Sequence, residues 1–548
     1  MRRHGPALLA CRLALTALAG LTALACNRSA PPEAPATGKT TLVTAAITDI
    51  EGLNELVTAD SRFTGEILEQ MFLRLFEEQP DFELHPPTFA PSLAESWSFS
   101  PDGLEMTVKL RPGMVWSDGA PITAEDVRFT YAAQTSPEVA WSYAFAKESI
   151  LGVDVVDPLT VRFRLRERSA TALLDVNEGA ILPAHVWGKL PFAEWTKQSD
   201  WFRHHLVVSG PFTLESWTPA QEIVLARNPR YRAADRQRLD RVVVRIVPDQ
   251  ASQLAQLAGG QLDFIFGVTP ARSREIAGRA DLTIRSFGNR QFDYICWNTR
   301  RPLFVDPEVR RALTLAIDRQ ELVDALWHGY ARVSVSPILS SVWAYDRSLV
   351  PWPYDPTEAR RLLAKSGWAD HDGDGVVDRQ GVRFSFELMT NGGNQIRSDA
   401  AVMIQAQLAK IGVDVRVRSL DGNTLNQLNR EHQFDATLTG WGVDTSLDLR
   451  YGFHSAEIDN GYNFGGYASP EVDRLIDEIH RQSDLAAARP LFVQLQRILH
   501  REQPYTFLWE PQRITAARAD LRNVQSNALA TFFHLDEWYF DPRGTGPR

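Results

Sequence analysis

PSLAESWSFSPDGLEMTVKLRPGMVWSDGAPITAEDV, residues 91–127, places three turns in one short stretch. Pro101-Asp102-Gly103, Arg111-Pro112-Gly113 and Ser117-Asp118-Gly119 each combine a residue that presets or tolerates turn dihedrals with a glycine that follows it. A strand around Trp97 precedes the first turn, and Met106 to Leu110 alternates apolar and polar side chains as a second strand. Thr123 then caps a helix whose first turn holds Glu125 and Asp126, acids that complement the helix dipole. The stretch reads as a β-meander running into a helix.

Outward from it, short strands and capped helices alternate. Val161 to Leu165, Ile223 to Ala226, Val242 to Val247 and Val413 to Val417 have strand patterning. Asp306-Pro307-Glu308 opens a helix expected to run through Arg310 to Trp327, with Asp as cap, Pro at the first helical position and Glu against the dipole. Asp355-Pro356-Thr357-Glu358 and Ser469-Pro470-Glu471 repeat the device, and Leu475, Ile476 and Ile479 continue the apolar stripe of the last helix. The mixture indicates an α/β class, without a repeat of solenoid length.

A chain of 548 residues with 44% hydrophobic and 23% charged residues fills a core and forms more than one lobe. Its 58 basic against 68 acidic side chains lack the basic excess that phosphate contacts require, so nucleic acid is not an expected partner. Cys11, Cys26 and Cys296 are too scattered for a disulfide framework, a zinc knuckle or a CxxC pair. Asp370-His371-Asp372-Gly373-Asp374-Gly375 opens like a calcium loop, but Gly381 stands where a bidentate Glu is needed, so no metal is expected. Gly38-Lys39-Thr40 ends like a phosphate loop, yet Glu33 replaces its first glycine. Without HExxH, GxSxG or another nucleophile-base constellation, the chain is not read as an enzyme and no cofactor is expected.

The first residues read as an address. Arg2 and Arg3 precede an uncharged run from Leu13 to Ala25, and Ala23-Leu24-Ala25 offers small residues to a signal peptidase. Residues 1–25 are therefore expected to be a secretory signal. LTALAC resembles the bacterial lipoprotein box, which makes Cys26 the expected lipidation site and a membrane anchor. Cleavage removes Arg2, Arg3 and Arg12 and no acid, so the formal charge of −10 becomes −13. Residues 26–40, including the Pro- and Ala-rich run Ser29 to Gly38, read as anchor and tether. Only Cys296 then remains, and no internal disulfide is available.

Residues 91–127 closely resemble the signature of the extracellular solute-binding protein family 5, the peptide- and nickel-type receptors of ABC importers, with its LAESW, DG turn and LRxGxxWxDGxPxTAxDV pattern. Ser209-Gly210-Pro211-Phe212 is similar to the family's GTGPF, with Val208-Ser209 where Gly-Thr usually stands, and Asn228-Pro229 with Tyr231 to its NPxYW, with Arg232 in place of the Trp. DPEVRRALTLAIDRQELV from Asp306, QAQLAKIGVDV from Gln405, and Asn463-Phe464-Gly465-Gly466-Tyr467 with PEVD from Pro470 follow in the family's order. The resemblance implies a two-lobed periplasmic binding protein fold, type II and cluster C-like, with an extra inserted small domain. Laid onto this chain, the main lobe is 41–73, 212–295 and 505–548; the inserted domain is 74–211; the second lobe is 296–504.

It also implies a function: a monomeric receptor that captures di- or oligopeptides in the periplasm by lobe closure and delivers them to an ABC permease. A nickel chelate, an oligosaccharide or an opine-like solute is the alternative cargo, and a tethered sensor or chaperone the alternative role. Trp441-Gly442-Val443-Asp444 matches the spacing at which peptide-binding members place an Asp for the ligand's ammonium, so Asp444 is the expected ligand, with Trp441 beside it and Asp448 as fallback. Asn391-Gly392-Gly393 lies in a loop after a strand, where glycines permit close backbone approach, and is a second candidate contact. Ser61 and Arg62 lie on a loop near the ligand in family members, which makes Arg62 a candidate for the ligand carboxylate.

Overall fold

The meander forms where its turns dictate. A computed structural model describes residues 39–58, 61–459, 461–482 and 484–541; the expected signal, Cys26 and the expected tether up to residue 38 lie outside the described residues. Ala94–Phe99 pairs antiparallel with Glu105–Leu110, and the reversal is closed by the Gly103 N–H donating to the Ser100 carbonyl (2.9 Å), with Gly103 at φ +73°. Residues after the second turn do not add a third meander strand. Instead Thr160–Leu165 takes the free edge of Glu105–Leu110, and Ile150–Asp157 pairs beyond it. Alternate side chains, Met106, Val108 and Leu110 with Val161, Phe163 and Leu165, are buried in one cluster with Val127 of the helix Ala124–Gln134. Buried Asp126 fixes that helix: one oxygen accepts from the Thr123 N–H (2.8 Å), the other from the Ala184 N–H (2.9 Å).

A twelve-stranded sheet carries the rest of the body. Its order begins with Asp414–Leu420, Ser385–Asn391, Ala436–Gly442 and Gln291–Trp297. Tyr505–Arg518 follows, and beyond it lie Phe264–Phe266, Thr41–Ala46, Arg241–Ile246, Glu222–Arg227 and Phe212–Thr218. The fourteen-residue strand Tyr505–Arg518 belongs to both halves: its first part pairs with residues 293–296, its last with Leu282–Gly288 and Phe264–Phe266. Each half buries apolar residues on both faces, so the halves are two lobes joined through one shared strand.

Two expected boundaries move accordingly. The division at 295/296 cuts through Gln291–Trp297, which pairs along its whole length with Ala436–Gly442 and so lies in the second lobe's sheet. The chain crosses between lobes at 288–291 and again near 510–512. The helix expected from Asp306 to Trp327 is also two helices, Pro307–Leu315 and Arg319–Trp327. Asp318 supplies the break, because its carboxylate accepts from the Glu321 N–H (2.9 Å) and caps the second helix. Of the other caps, Asp306 accepts from Glu308 N–H (2.9 Å) and Asp355 from Glu358 N–H (2.8 Å), whereas Ser469 sits at the N-cap of Pro470–His480 without a side-chain cap bond. No helix of the described residues is long and apolar enough to cross a membrane.

Candidate functional site

A cavity of about 910 Å³ opens where the lobes meet, lined by residues 69–78, two segments of the inserted domain, the far-lobe loop after Gly442, and the C-terminal run from Leu529 to Asp536. The lobes touch around it. The loop between Phe76–Glu78 and Phe89–Pro91 reaches across, burying Phe82 among far-lobe residues and accepting a hydrogen bond from Trp343 N–H at the Phe82 carbonyl (2.9 Å). On the other side Phe145 meets Tyr451 edge to face, with ring centroids 5.0 Å apart.

Asp444 faces this cavity from the loop that follows Ala436–Gly442. Its Oδ1 accepts from the Ser446 hydroxyl (2.6 Å) and the Leu447 N–H (3.0 Å), which fixes the carboxylate before any ligand arrives. The side chain reaches cavity solvent yet is enclosed by both lobes, and this desolvation raises its pKa, with Asp448 adding to the rise and Arg290 opposing it.

The opposing wall is also acidic. Glu78 lines the cavity, its Oε1 buried without a hydrogen-bond partner, and burial raises its pKa against the pull of Thr445 and Arg290. Asp175 accepts from the hydroxyls of Ser149 (2.9 Å) and Thr171 (3.1 Å), and burial pushes its pKa up to about 6. Beneath it Lys147 donates to the carbonyls of Asp175 (2.5 Å) and Glu178 (2.7 Å); desolvation brings its pKa down to about 8. Glu178 is 3.4 Å from Arg74, which also meets Glu69 at 3.4 Å. His480 ends the helix Pro470–His480 and bonds Asp448 at 3.0 Å, a contact that raises the imidazole pKa. Arg290 comes from the first interlobe crossing, its Nε donating to the Ala528 carbonyl (3.2 Å) and its own carbonyl accepting from Val443 N–H (2.8 Å).

Of the residues singled out in the sequence, the structure brings Asp444 and the fallback Asp448 into the cavity lining. Trp441 turns away: it packs on Tyr462, centroids 6.1 Å apart, and so tightly over Gly452 that a Cβ there would lie 2.8 Å from its ring. The Asn391 to Gly393 loop sits at the far sheet's end. There Asn391 accepts from Arg397, and a Cβ on Gly392 would lie 2.8 Å from Ser419 Oγ, so the close approach at that glycine is by a side chain of the neighbouring strand, while Gly393 has open space around it. Ser61 caps the helix Arg62–Leu68, and Arg62 pairs with Glu66 at 3.2 Å, outside the lining. Glu78, Asp175 and Arg290 carry no local motif and were not singled out. Away from the cavity, the exposed Asp370, Asp372 and Asp374 place carboxylate oxygens within 4.8 Å of one another, while each accepts an N–H group of its own loop, Gly373 to Asp370 (2.7 Å), Asp374 to Asp372 (3.2 Å) and Val376 to Asp374 (2.9 Å).

Comparison with known proteins bears on the family and the fold. Residues 88–460 match the family described as bacterial extracellular solute-binding proteins, family 5 Middle. The chain is 32% identical over 505 residues to the oligopeptide-binding protein AppA of Bacillus subtilis, covering 91% of each, and 27% identical over 469 residues to a dipeptide-binding protein of Pseudomonas aeruginosa, covering 81% of this chain and 85% of that one. The structure of Bacillus subtilis AppA in complex with a nonapeptide superposes with a TM-score of 0.78 at 30% identity, over 92% of this chain and 99% of that one. NikZ from Campylobacter jejuni in complex with Ni(L-His) shares the fold, with a TM-score of 0.78 at 23% identity over 91% and 99%. With the family match spanning more than half its length and a relative so similar across nearly the whole chain, this protein belongs to the bacterial extracellular solute-binding proteins of family 5.

Proposed function

We propose that the protein captures peptides in the cavity between its lobes and presents them to an ABC permease, releasing them chemically unchanged. Asp444 receives the ligand's ammonium. Its carboxylate is held by Ser446 and Leu447 at the cavity wall, which is the observation that carries the reading. A zwitterion taken from water needs a charged partner at such a place. Tyr143, Phe145 and Tyr451 supply aromatic walls, and the volume lies at the upper end of the roughly 300–1,000 Å³ of ordinary ligand pockets, in keeping with a short peptide. Residues 1–25 direct export to the periplasm, and lipidated Cys26 anchors a monomeric receptor to the membrane through the tether.

Calorimetry with short peptides tests the assignment. A micromolar complex corresponds to about 8 kcal/mol, and a charge-assisted contact supplies about 1.5–3 kcal/mol of it, so Asp444→Ala is expected to weaken binding roughly tenfold to a hundredfold. Unchanged affinity in that variant overturns the role of Asp444. Mass spectrometry of the bound fraction is expected to recover the peptides intact; cleaved products overturn the receptor reading itself.

A further inference from the structure

The cavity lining carries twelve carboxylates against four guanidinium groups and two imidazoles. Several of the acids have partners within the protein: Glu69 and Glu178 share Arg74, Glu457 and Asp477 share Arg450, Asp448 pairs with His480, and Glu77 with His534. Glu78, Glu148, Glu167, Asp175, Asp444 and Asp536 have no ion pair within 4 Å among the described residues, and they come from both lobes. A second observation points to what they face. Glu78 Oε1 is buried at the cavity wall with no hydrogen-bond donor, a cost that a protein does not ordinarily leave standing. The one cavity guanidinium without an ion pair, Arg290, opposes the charge of both Glu78 and Asp444, so it balances one carboxylate and leaves the group anionic.

From this geometry we infer that the cavity selects cationic peptides, those that carry lysine or arginine side chains in addition to their N-terminal ammonium, with Glu78 and Asp444 contributed by opposite lobes to the same positive charge. The inference rests on the peptide-receptor reading above. An acidic peptide would bring carboxylates into a water-poor enclosure already rich in them, whereas each ligand cation offsets a charge the protein itself leaves unbalanced. The same charge raises cation encounter rates in a salt-dependent way.

The test uses alanine peptides of three, five and eight residues with free termini, each length also made with Lys or with Glu at alternate positions. Titration calorimetry is expected to show the Lys peptides binding at least tenfold tighter than the alanine peptides and the Glu peptides weakest, with the spread narrowing as salt is raised from 0.05 to 0.5 M. Glu78→Gln is expected to shrink the Lys-to-Glu affinity ratio several-fold, with circular dichroism showing the variant folded. If the alanine and Glu peptides bind as tightly as the Lys peptides, charge selection is overturned and the peptide receptor stands. If none of the peptides binds at any length, the peptide reading fails and the selection inference with it.

Discussion

Asp175 illustrates how one side chain at the cavity wall reports on its surroundings. Two hydroxyls hold it, Lys147 lies below, and Asp448 with its partner His480 faces it from the other lobe. Its folded pKa of about 6 lies above the ordinary value of 3.8, so between those values the folded protein retains a proton that the unfolded chain has released. The carboxyl therefore contributes most to stability at low pH, and that contribution is lost as the pH rises through about 6. In Asp175→Asn this dependence is absent while His480 still titrates. The variant's stability relative to wild type is expected to rise by roughly 1 to 3 kcal/mol between pH 4 and pH 7 in urea denaturation, and parallel pH profiles would contradict the assignment. The resemblance points to Asp444 by its spacing from Trp441 and puts Trp441 beside it, whereas Trp441 turns away from the cavity that Asp444 lines. Which way a strand turns a side chain depends on the register of Ala436–Gly442 against Gln291–Trp297, which no local spacing records.

At the level of single elements, local chemistry was read well and its interruptions were not. The turns at Gly103, Gly113 and Gly119 all have positive φ, and the strands fall within a residue or two of their expected ends, except that Asp414–Leu420 runs three residues further, because glycine and alternation act within a few residues. The gap between Pro307–Leu315 and Arg319–Trp327 escaped because buried Leu313, Ala316, Ile317 and Leu322 make the apolar pattern look continuous, and only the Asp318 side chain shows that a new helix begins. Asp318→Ala is expected to cost about 1 kcal/mol in thermal or urea unfolding, with Asp318→Asn keeping most of it and peptide affinity unaffected. Equal stability of the alanine and asparagine variants would show that the cap is not what starts Arg319–Trp327.

For the whole molecule, two lobes were legible from the resemblance, but the cavity was not. Glu78, Asp175, Arg290 and Asp444 lie far apart in sequence, Glu78 on a separate two-stranded sheet, Asp175 on the helix Ala172–Asn177, and Arg290 and Asp444 beside strands of the large sheet, so only the tertiary fold brings them to one cavity. Contact between the lobes is separable from ligand contact. Phe82, buried in the far lobe from the opposite side and outside the cavity lining, is expected to hold the lobes together with roughly 1.5–3 kcal/mol of apolar burial. Phe82→Ala is expected to weaken peptide binding about tenfold without touching the ligand, and to leave a larger radius of gyration at a given peptide concentration in small-angle scattering. Wild-type scattering and affinity in that variant would mean that the loop does not govern closure.

The strand Tyr505–Arg518 has a consequence in biosynthesis. It is an inner member of the sheet in both lobes and follows every other strand of that sheet in sequence. A ribosome that has made the first five hundred residues has therefore not yet made the piece on which either lobe closes, and a nascent chain halted before Tyr505 has neither lobe complete. Until that strand arrives, the segments already made in each lobe have no common partner on which to close.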